Sequence, residues 1–302
     1  MDLVFFGIQG SGKGTQAKKL AAEFGYDIFE AGGELRKIAA SGSELGHLVK
    51  STIDQGHLVP HEIIMQVVKE AIAVITKRGI APDRITLVGN TPPLSILEHA
   101  KMGGADCFKS VGERFTMVYV GGIQWVRGIQ TVLDAIPEII KNIPHFLFLI
   151  VGDGYAAEHL KERVIKEKLQ DYVLWTGWIE HEKIYDYIVA SQIGVIPHLV
   201  TDHTNTTVPN KLFDLMALGL PIIASDAVPI KRILNEENCG ISFRGGDAID
   251  LAQAVIKLYH SNFDYAKNGI QAVKREYHWE ADKKRLLEAI HLVIEKQRNR
   301  TQ

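Results

Sequence analysis

The chain has 302 residues, 46% of them hydrophobic, enough for one large or two ordinary domains with a buried core. Its 34 Lys and Arg against 36 Asp and Glu leave a net charge of -2, which excludes the basic footprint of a nucleic-acid binder or of a protein held electrostatically to an anionic membrane. Only two cysteines, Cys107 and Cys239, occur, so neither a disulfide framework nor a cysteine metal site is expected, and a reducing, cytoplasmic setting fits.

Leu3 to Phe6 reads as a strand, followed by a glycine-rich turn and a helix over Lys13 to Phe24. No basic run precedes the apolar residues and Gly7 ends them early, which is the pattern of a strand and not of a signal peptide. Helical periodicity returns at 33–40, 45–55 and 61–77, and the turn cluster at 79–83 stops it. Arg84 to Val88 is a β-branched strand, Asn90-Thr91-Pro92-Pro93 breaks the chain, and residues 94–114 read as an irregular connector with one or two helical turns.

From Phe115 the alternation restarts. Strands are expected at 116–120, 146–151, 173–176, 193–197, 221–224 and 240–243. Helices are expected at 128–140, 156–167, 183–190, 211–217, 230–235, 248–260 and 279–296. Strands alternating with helices argue for α/β layers around a largely parallel sheet. The longest apolar stretches are too short or interrupted to span a bilayer. The domain boundary falls between 90 and 115, dividing the chain into segments 1–90 and 91–302.

The N-terminal turn is built for phosphate. Glycines at 7, 10, 12 and 14 allow close backbone wrapping, with Ser11 in the same turn. Lys13 reaches the β and γ phosphates, and Thr15 and the helix N-terminus add donors. Gly14 stands between Lys13 and Thr15, where the common form has Lys followed directly by Ser or Thr. With GIQGSGKGTQ, AGGELR at 31–36 and LGHLVKSTIDQGHLVPHE at 45–62, residues 1–70 resemble the N-terminal third of an adenylate kinase. The resemblance implies ATP and Mg at the phosphate loop and assigns Arg36 to the acceptor phosphate. Gly33 stands where that family has aspartate. The expected Asp-Gly-Phe-Pro-Arg strand, lid and further arginines are not found. Arg84 to Val88 followed by Gly-Asn-Thr-Pro-Pro sits in the place of that strand.

The C-terminal part has a second set of turns. Tyr119-Val120-Gly121-Gly122 leads through Val126-Arg127-Gly128 into a helix, and a basic residue just before a helix N-terminus can hold a diphosphate. Val151-Gly152-Asp153-Gly154 and Thr176-Gly177-Trp178-Ile179 are further strand-to-turn exits at the edge where open α/β sheets bind ligands. Residues 203–226, HTNTTVPNKLFDLMALGLPIIASD, form a polar loop entering a helix near Lys211, with Thr207 in the loop and Asp214 one turn in.

In this order the motifs resemble the nucleotide-sugar-binding half of family-4 glycosyltransferases, over residues 70–297. That family has the two-Rossmann GT-B architecture. The resemblance implies a UDP- or GDP-linked sugar donor and metal-independent transfer. It assigns Arg127 to the diphosphate, Asp214 to the ribose, and Trp178 and Ile179 to the base-binding turn. Lys211 lies in the Pro-Asn-Lys-Leu-Phe signature of one branch and, with Arg127, is a candidate catalytic residue. Gly121, Gly122, Gly154 and Thr207 are candidate cofactor-binding positions. Gly122 stands where the family often has a second basic residue, and Thr206 where many members have a first glutamate. The resemblance leaves the family's acceptor-binding domain unmatched in these residues, and the kinase-like segment is expected in its place.

Other conspicuous residues have plainer readings. His198 and His203 read as loop or sugar-pocket residues and not a metal pair, Asp153 as a turn residue, and Glu236 and Glu237 as a solvated helix end. The expectation is an α/β protein: a Rossmann-like C-terminal GT-B half-domain preceded by a partial P-loop kinase α/β segment. Three functions stay open: transfer of sugar to an unknown glycosyl acceptor, adenylate-kinase-like phosphoryl transfer, and a non-catalytic fusion of two enzyme fragments. No partner other than small nucleotides and the acceptor is expected. Nucleic acid and a transmembrane segment are not, while peripheral membrane contact stays open.

Overall fold

The computed structural model describes residues 89, 91–102, 111–205 and 207–298. All structural statements below concern these residues. Gly89–Glu288 forms one compact unit. In chain order it contains α1 (Ile96–Met102), β1 (Phe115–Val120), α2 (Ile129–Asn142), β2 (Phe146–Val151), α3 (Ala157–Lys166), β3 (Val173–Gly177), α4 (His181–Val189) and β4 (Ile193–Ile196). There follow α5 (Lys211–Ala217), β5 (Ile222–Ser225), α6 (Val228–Glu237), β6 (Gly240–Phe243), α7 (Ala248–Tyr259), α8 (Tyr265–Arg275) and α9 (Trp279–Arg298), the last of which begins within the unit.

The six strands form one sheet in the order β3-β2-β1-β4-β5-β6, and each neighbouring pair is parallel. The parallel α/β architecture expected from the alternation is therefore present. β2 is buried at every position, as a central parallel strand covered on both faces must be. Alternation then sorts its side chains into two cores. Phe146, Phe148 and Ile150, with Met117 and Tyr119 of β1, pack under α2, α3 and α7 through Val132, Leu133, Ile136, Leu160, Leu251 and Val255. Leu147, Leu149 and Val151, with Val118 of β1, face the other way, towards Leu212, Leu215 and Met216 of α5 and Ile230 and Ile233 of α6.

Two close approaches fix α5, which carries two of the candidate site residues. A Cβ on Gly194 of β4 would lie 2.8 Å from both Cδ atoms of Leu215, so the missing side chain lets α5 settle on the sheet. A Cβ on Gly269 would lie 3.4 Å from the Cα of Met216. Gly269 sits in the middle of α8, the one helix of this unit that the sequence pattern did not predict.

The first residues of the unit are held by the start of α9. Asp282, buried, accepts hydrogen bonds from the Gly89 N–H at 2.9 Å, the Thr91 hydroxyl at 2.6 Å and Arg285 Nη1 at 2.8 Å. Glu280 accepts from the Leu94 N–H, and the Trp279 N–H donates to the Pro92 carbonyl. Glu237 corrects its sequence reading as a solvated group: it takes Arg275 Nη2 at 2.6 Å and the Tyr277 hydroxyl at 3.3 Å.

Candidate functional site

The strand order reverses at β1. The chain runs outward from β1 to β2 and β3, then returns to the other side of β1 with β4. Ligands of open α/β sheets bind beyond the carboxyl ends of the strands at such a reversal. Here β1 leaves into Gly121-Gly122 and β4 into Pro197-His198.

Backbone stacked on backbone makes the floor. The Gly121 N–H donates to the Val151 carbonyl at 2.9 Å and the Ile123 N–H to the Asp153 carbonyl at 3.0 Å. A Cβ on Gly152 would lie 2.1 Å from the Gly121 carbonyl oxygen, and one on Gly154 would lie 2.3 Å from that of Ile123. Asp153 caps its own turn by accepting the Gly154 N–H at 2.7 Å. On the other side, Trp125–Arg127 forms one 3-10 turn that ends in Gly128 at φ +71°. A Cβ there would lie 1.7 Å from the Pro197 carbonyl oxygen. Only glycine satisfies both that backbone conformation and that approach. The Leu199 N–H donates to the Val126 carbonyl at 3.0 Å, so the exits of β1 and β4 are tied together. No side chain caps the N-terminus of α2.

Three basic side chains meet over this floor. Arg127 Nη1 lies 3.4 Å from Nε2 of the buried His198. A guanidinium has donors only, so the imidazole nitrogen accepts and the ring proton sits on Nδ1. Burial first, then the charges of Lys211, Arg127 and His203, push the His198 ring down to about 2, so it is neutral. Lys211 opens α5 and holds its ammonium 4.1 Å from the centroid of the Tyr119 ring. Burial first and Arg127 second hold the Lys211 ammonium well below its ordinary range, with Asp214 partly opposing them. The Tyr119 hydroxyl donates to the Gly122 carbonyl at 2.7 Å, and burial pushes that phenol up. Tyr119 therefore both fixes the turn after β1 and offers a π face to the ammonium. Among the described residues, neither Arg127 nor Lys211 forms an ion pair with a carboxylate.

The polar loop between β4 and α5 is ordered by its own side chains. The Thr201 N–H donates to Oγ1 of buried Thr204 at 2.7 Å, and the Thr204 hydroxyl donates to the Leu199 carbonyl at 3.0 Å. The Thr207 hydroxyl donates to the His203 carbonyl at 2.9 Å. Asn205 Oδ1 accepts the Val228 N–H that opens α6. Asp214 lies in the first turn of α5, near enough to influence both Tyr185 and Lys211.

The structure thus brings Gly121, Arg127 and Lys211 together, with Gly122 beside them. A Cβ on Gly121 would sit 2.9 Å from the Lys211 Nζ. Gly154 lies under the Ile123 carbonyl, and Trp178 follows β3 with 75% of its surface exposed. Gly7, Gly10, Ser11, Gly12, Lys13, Gly14, Thr15 and Arg36 lie outside the described residues, as does Thr206. Sequence reasoning named two further members of the cluster without giving them a part in it: Tyr119 only as the start of the Tyr119-Val120-Gly121-Gly122 strand exit, and His198 only as a loop or sugar-pocket residue. Among the described residues no group of three His, Cys, Asp or Glu could hold a metal ion, and no helix is long and apolar enough to cross a membrane.

Comparison with known proteins agrees with this architecture. Residues 114–261 match the family described as glycosyl transferases group 1. Residues 5–80 match adenylate kinase and lie outside the described residues. The alpha-D-kanosaminyltransferase of Streptomyces kanamyceticus is 25% identical over 146 residues, which are 48% of this chain and 36% of that protein. The chain spans little more than a third of that relative. Among solved structures, sucrose-phosphate synthase from Thermosynechococcus elongatus superposes with a TM-score of 0.58 at 22% identity, over 68% of this chain and 52% of that one. Anabaena Alr3699/HepE, solved in complex with UDP, gives 0.57 at 13% identity, over 76% and 60%. At these identities the likeness establishes the fold alone, a Rossmann-like GT-B half.

Proposed function

We propose that the glycosyltransferase domain binds a nucleoside-diphosphate sugar, UDP-linked in the first instance, and contributes to transfer of the sugar to an acceptor. The observation that carries this reading is the pair of cations, Arg127 and Lys211, neither of them ion-paired with a carboxylate among the described residues, at the strand-order reversal. Cationic side chains near an uncapped helix N-terminus suit a diphosphate. In transfer, the bond from the anomeric carbon to the diphosphate oxygen breaks, and a bond to an acceptor hydroxyl forms as that hydroxyl loses its proton. The departing diphosphate gains negative charge, so Arg127, Lys211 and the N-terminus of α2 act most strongly in the transition state. Asp214 accepts the ribose hydroxyls, the turn at Gly177-Trp178 meets the base, and Gly121, Gly122, Gly154 and Thr207 line the donor.

A second reading rests on the adenylate kinase match over 5–80. In it, segment 1–90 binds ATP with Mg through Lys13 and segment 91–302 is the sugar-donor domain, both in the cytoplasm. Calorimetric titration with UDP, GDP and ATP, with and without Mg, tests both. UDP or GDP binding weakened about tenfold or more in Asp214→Ala supports the donor site. ATP binding lost in Lys13→Ala, without response to UDP or GDP, moves the assignment to the N-terminal segment.

A further inference from the structure

The geometry points to His198 as the positioning residue of Arg127: a neutral, buried imidazole that aims the guanidinium without cancelling its charge. The inference rests on the proposed donor site for the ligand that Arg127 meets, but not for the contact itself. Arg127 ends a single 3-10 turn, and a long side chain there has many rotamers to lose before it meets an anion. A carboxylate partner would hold it more strongly, yet would also neutralise it and compete with phosphate. Nε2 of His198, at 3.4 Å, is the one side-chain acceptor that Arg127 meets among the described residues.

The backbone supports the contact from both sides. The Leu199 N–H, next to His198, bonds to the carbonyl of Val126, next to Arg127. The Pro197 carbonyl closes on Gly128. The two residues are therefore carried on adjoining rigid exits of β1 and β4. The groups that act on the ring are Lys211 from α5, Arg127 from the turn and His203 from the loop. All three are cationic or become so on protonation. Together with burial they oppose a charge on His198, which keeps Nε2 free to accept.

Two measurements on the whole chain test this. Nitrogen-15 NMR of the histidine rings, without nucleotide, should find His198 neutral and protonated on Nδ1 from about pH 8 to about pH 5. A charged ring, or a proton on Nε2, overturns the proposal whether or not the chain binds nucleotide. Titration with UDP then reads the consequence. His198→Gln, which keeps an acceptor near Nε2, should retain affinity within about threefold, and His198→Leu should lose about tenfold at similar thermal stability. In an Arg127→Met background, His198→Leu should cost nothing further, because His198 acts through Arg127. Equal losses in both backgrounds would mean that His198 meets the ligand itself, and would overturn the positioning role. Failure of the wild-type chain to bind UDP or GDP would remove the donor-site reading and leave the NMR result to decide the contact.

Discussion

Two places in this unit take charge out of water, and they do so in opposite ways. At the start of α9, buried Asp282 receives an N–H, a hydroxyl and a guanidinium, and Arg285 also reaches Glu276. Each charge there has its counter-charge or its donors. At the strand-order reversal, Arg127 and Lys211 have a neutral imidazole and a phenol ring as company. A desolvated charge that is paired can hold a fold together, and one left unpaired is held at a cost. The first arrangement fixes where the chain enters the domain. The second keeps attraction available for an anion from outside, and binding sites commonly sacrifice stability in this way.

The largest expected effect breaks the reversal at its backbone, before any charge is considered. Gly128→Ala forces a side chain at φ +71° into a position 1.7 Å from the Pro197 carbonyl oxygen. A loss of about 4 kcal/mol or more is expected in urea unfolding, if the variant folds at all. A loss below about 1 kcal/mol would mean that the exits of β1 and β4 separate easily. Asp282→Ala comes next and sharpens the comparison. It strands the Gly89 N–H, the Thr91 hydroxyl and Arg285, for about 3 kcal/mol. UDP affinity should stay within about twofold, since only the paired region is touched. A matching collapse in affinity would show that the two regions are not separable.

The third effect appears with pH. The His198 ring titrates near about 2 in the fold against about 6.5 in an unfolded chain. A lowered value means that the unfolded chain binds the proton first. The contribution is therefore complete above about pH 6.5 and is lost as pH falls towards the folded value. Between about pH 7.5 and about pH 5 the loss is about 2 kcal/mol. Urea unfolding at both pH values, in wild type and His198→Gln, isolates it: the variant should lack this part of the slope. Equal slopes would mean that His198 is charged or exposed.

Much of the fold was legible because it rests on local pattern. Apolar, β-branched runs marked all six strands, and Gly121, Gly128, Gly152 and Gly177 marked their exits and the turn into α2. α8 was given no element in the sequence reading; it carries Gly269 in its middle, where the absent side chain lets the helix lie against Met216. Arg127 and Lys211 were legible through the motifs around them. His198 and Tyr119 were not, since their roles arise only when β1 and β4 lie side by side. Nor was the Asp282 network, two of whose partners are 193 and 191 residues away. Glu237 failed as a sequence reading for the same reason, because Arg275 lies 38 residues on.

The smallest effect is the most discriminating, because its sign is the unusual one. Lys211→Met keeps most of the aliphatic stem, and with it the packing on Tyr119, while removing the ammonium. At the Asp282 network, deleting a charge should destabilise, because paired groups lose their partners. At the reversal it should stabilise, by about 1 kcal/mol, because the ammonium is desolvated and repelled by Arg127. The Tyr119 ring and Asp214 act in the other direction and keep the expected gain small. The gain has its own pH signature. The lowered value of Lys211 makes its contribution complete only above the unfolded value of about 10.4, and it is lost as pH falls through the folded one. The variant's advantage should therefore be full at low pH and shrink as pH rises. UDP affinity should fall about tenfold or more in the same protein. Higher stability with weaker binding is the outcome that an unpaired cation kept for a ligand requires. Lower stability would put Lys211 with Asp282, as a charge that holds the fold.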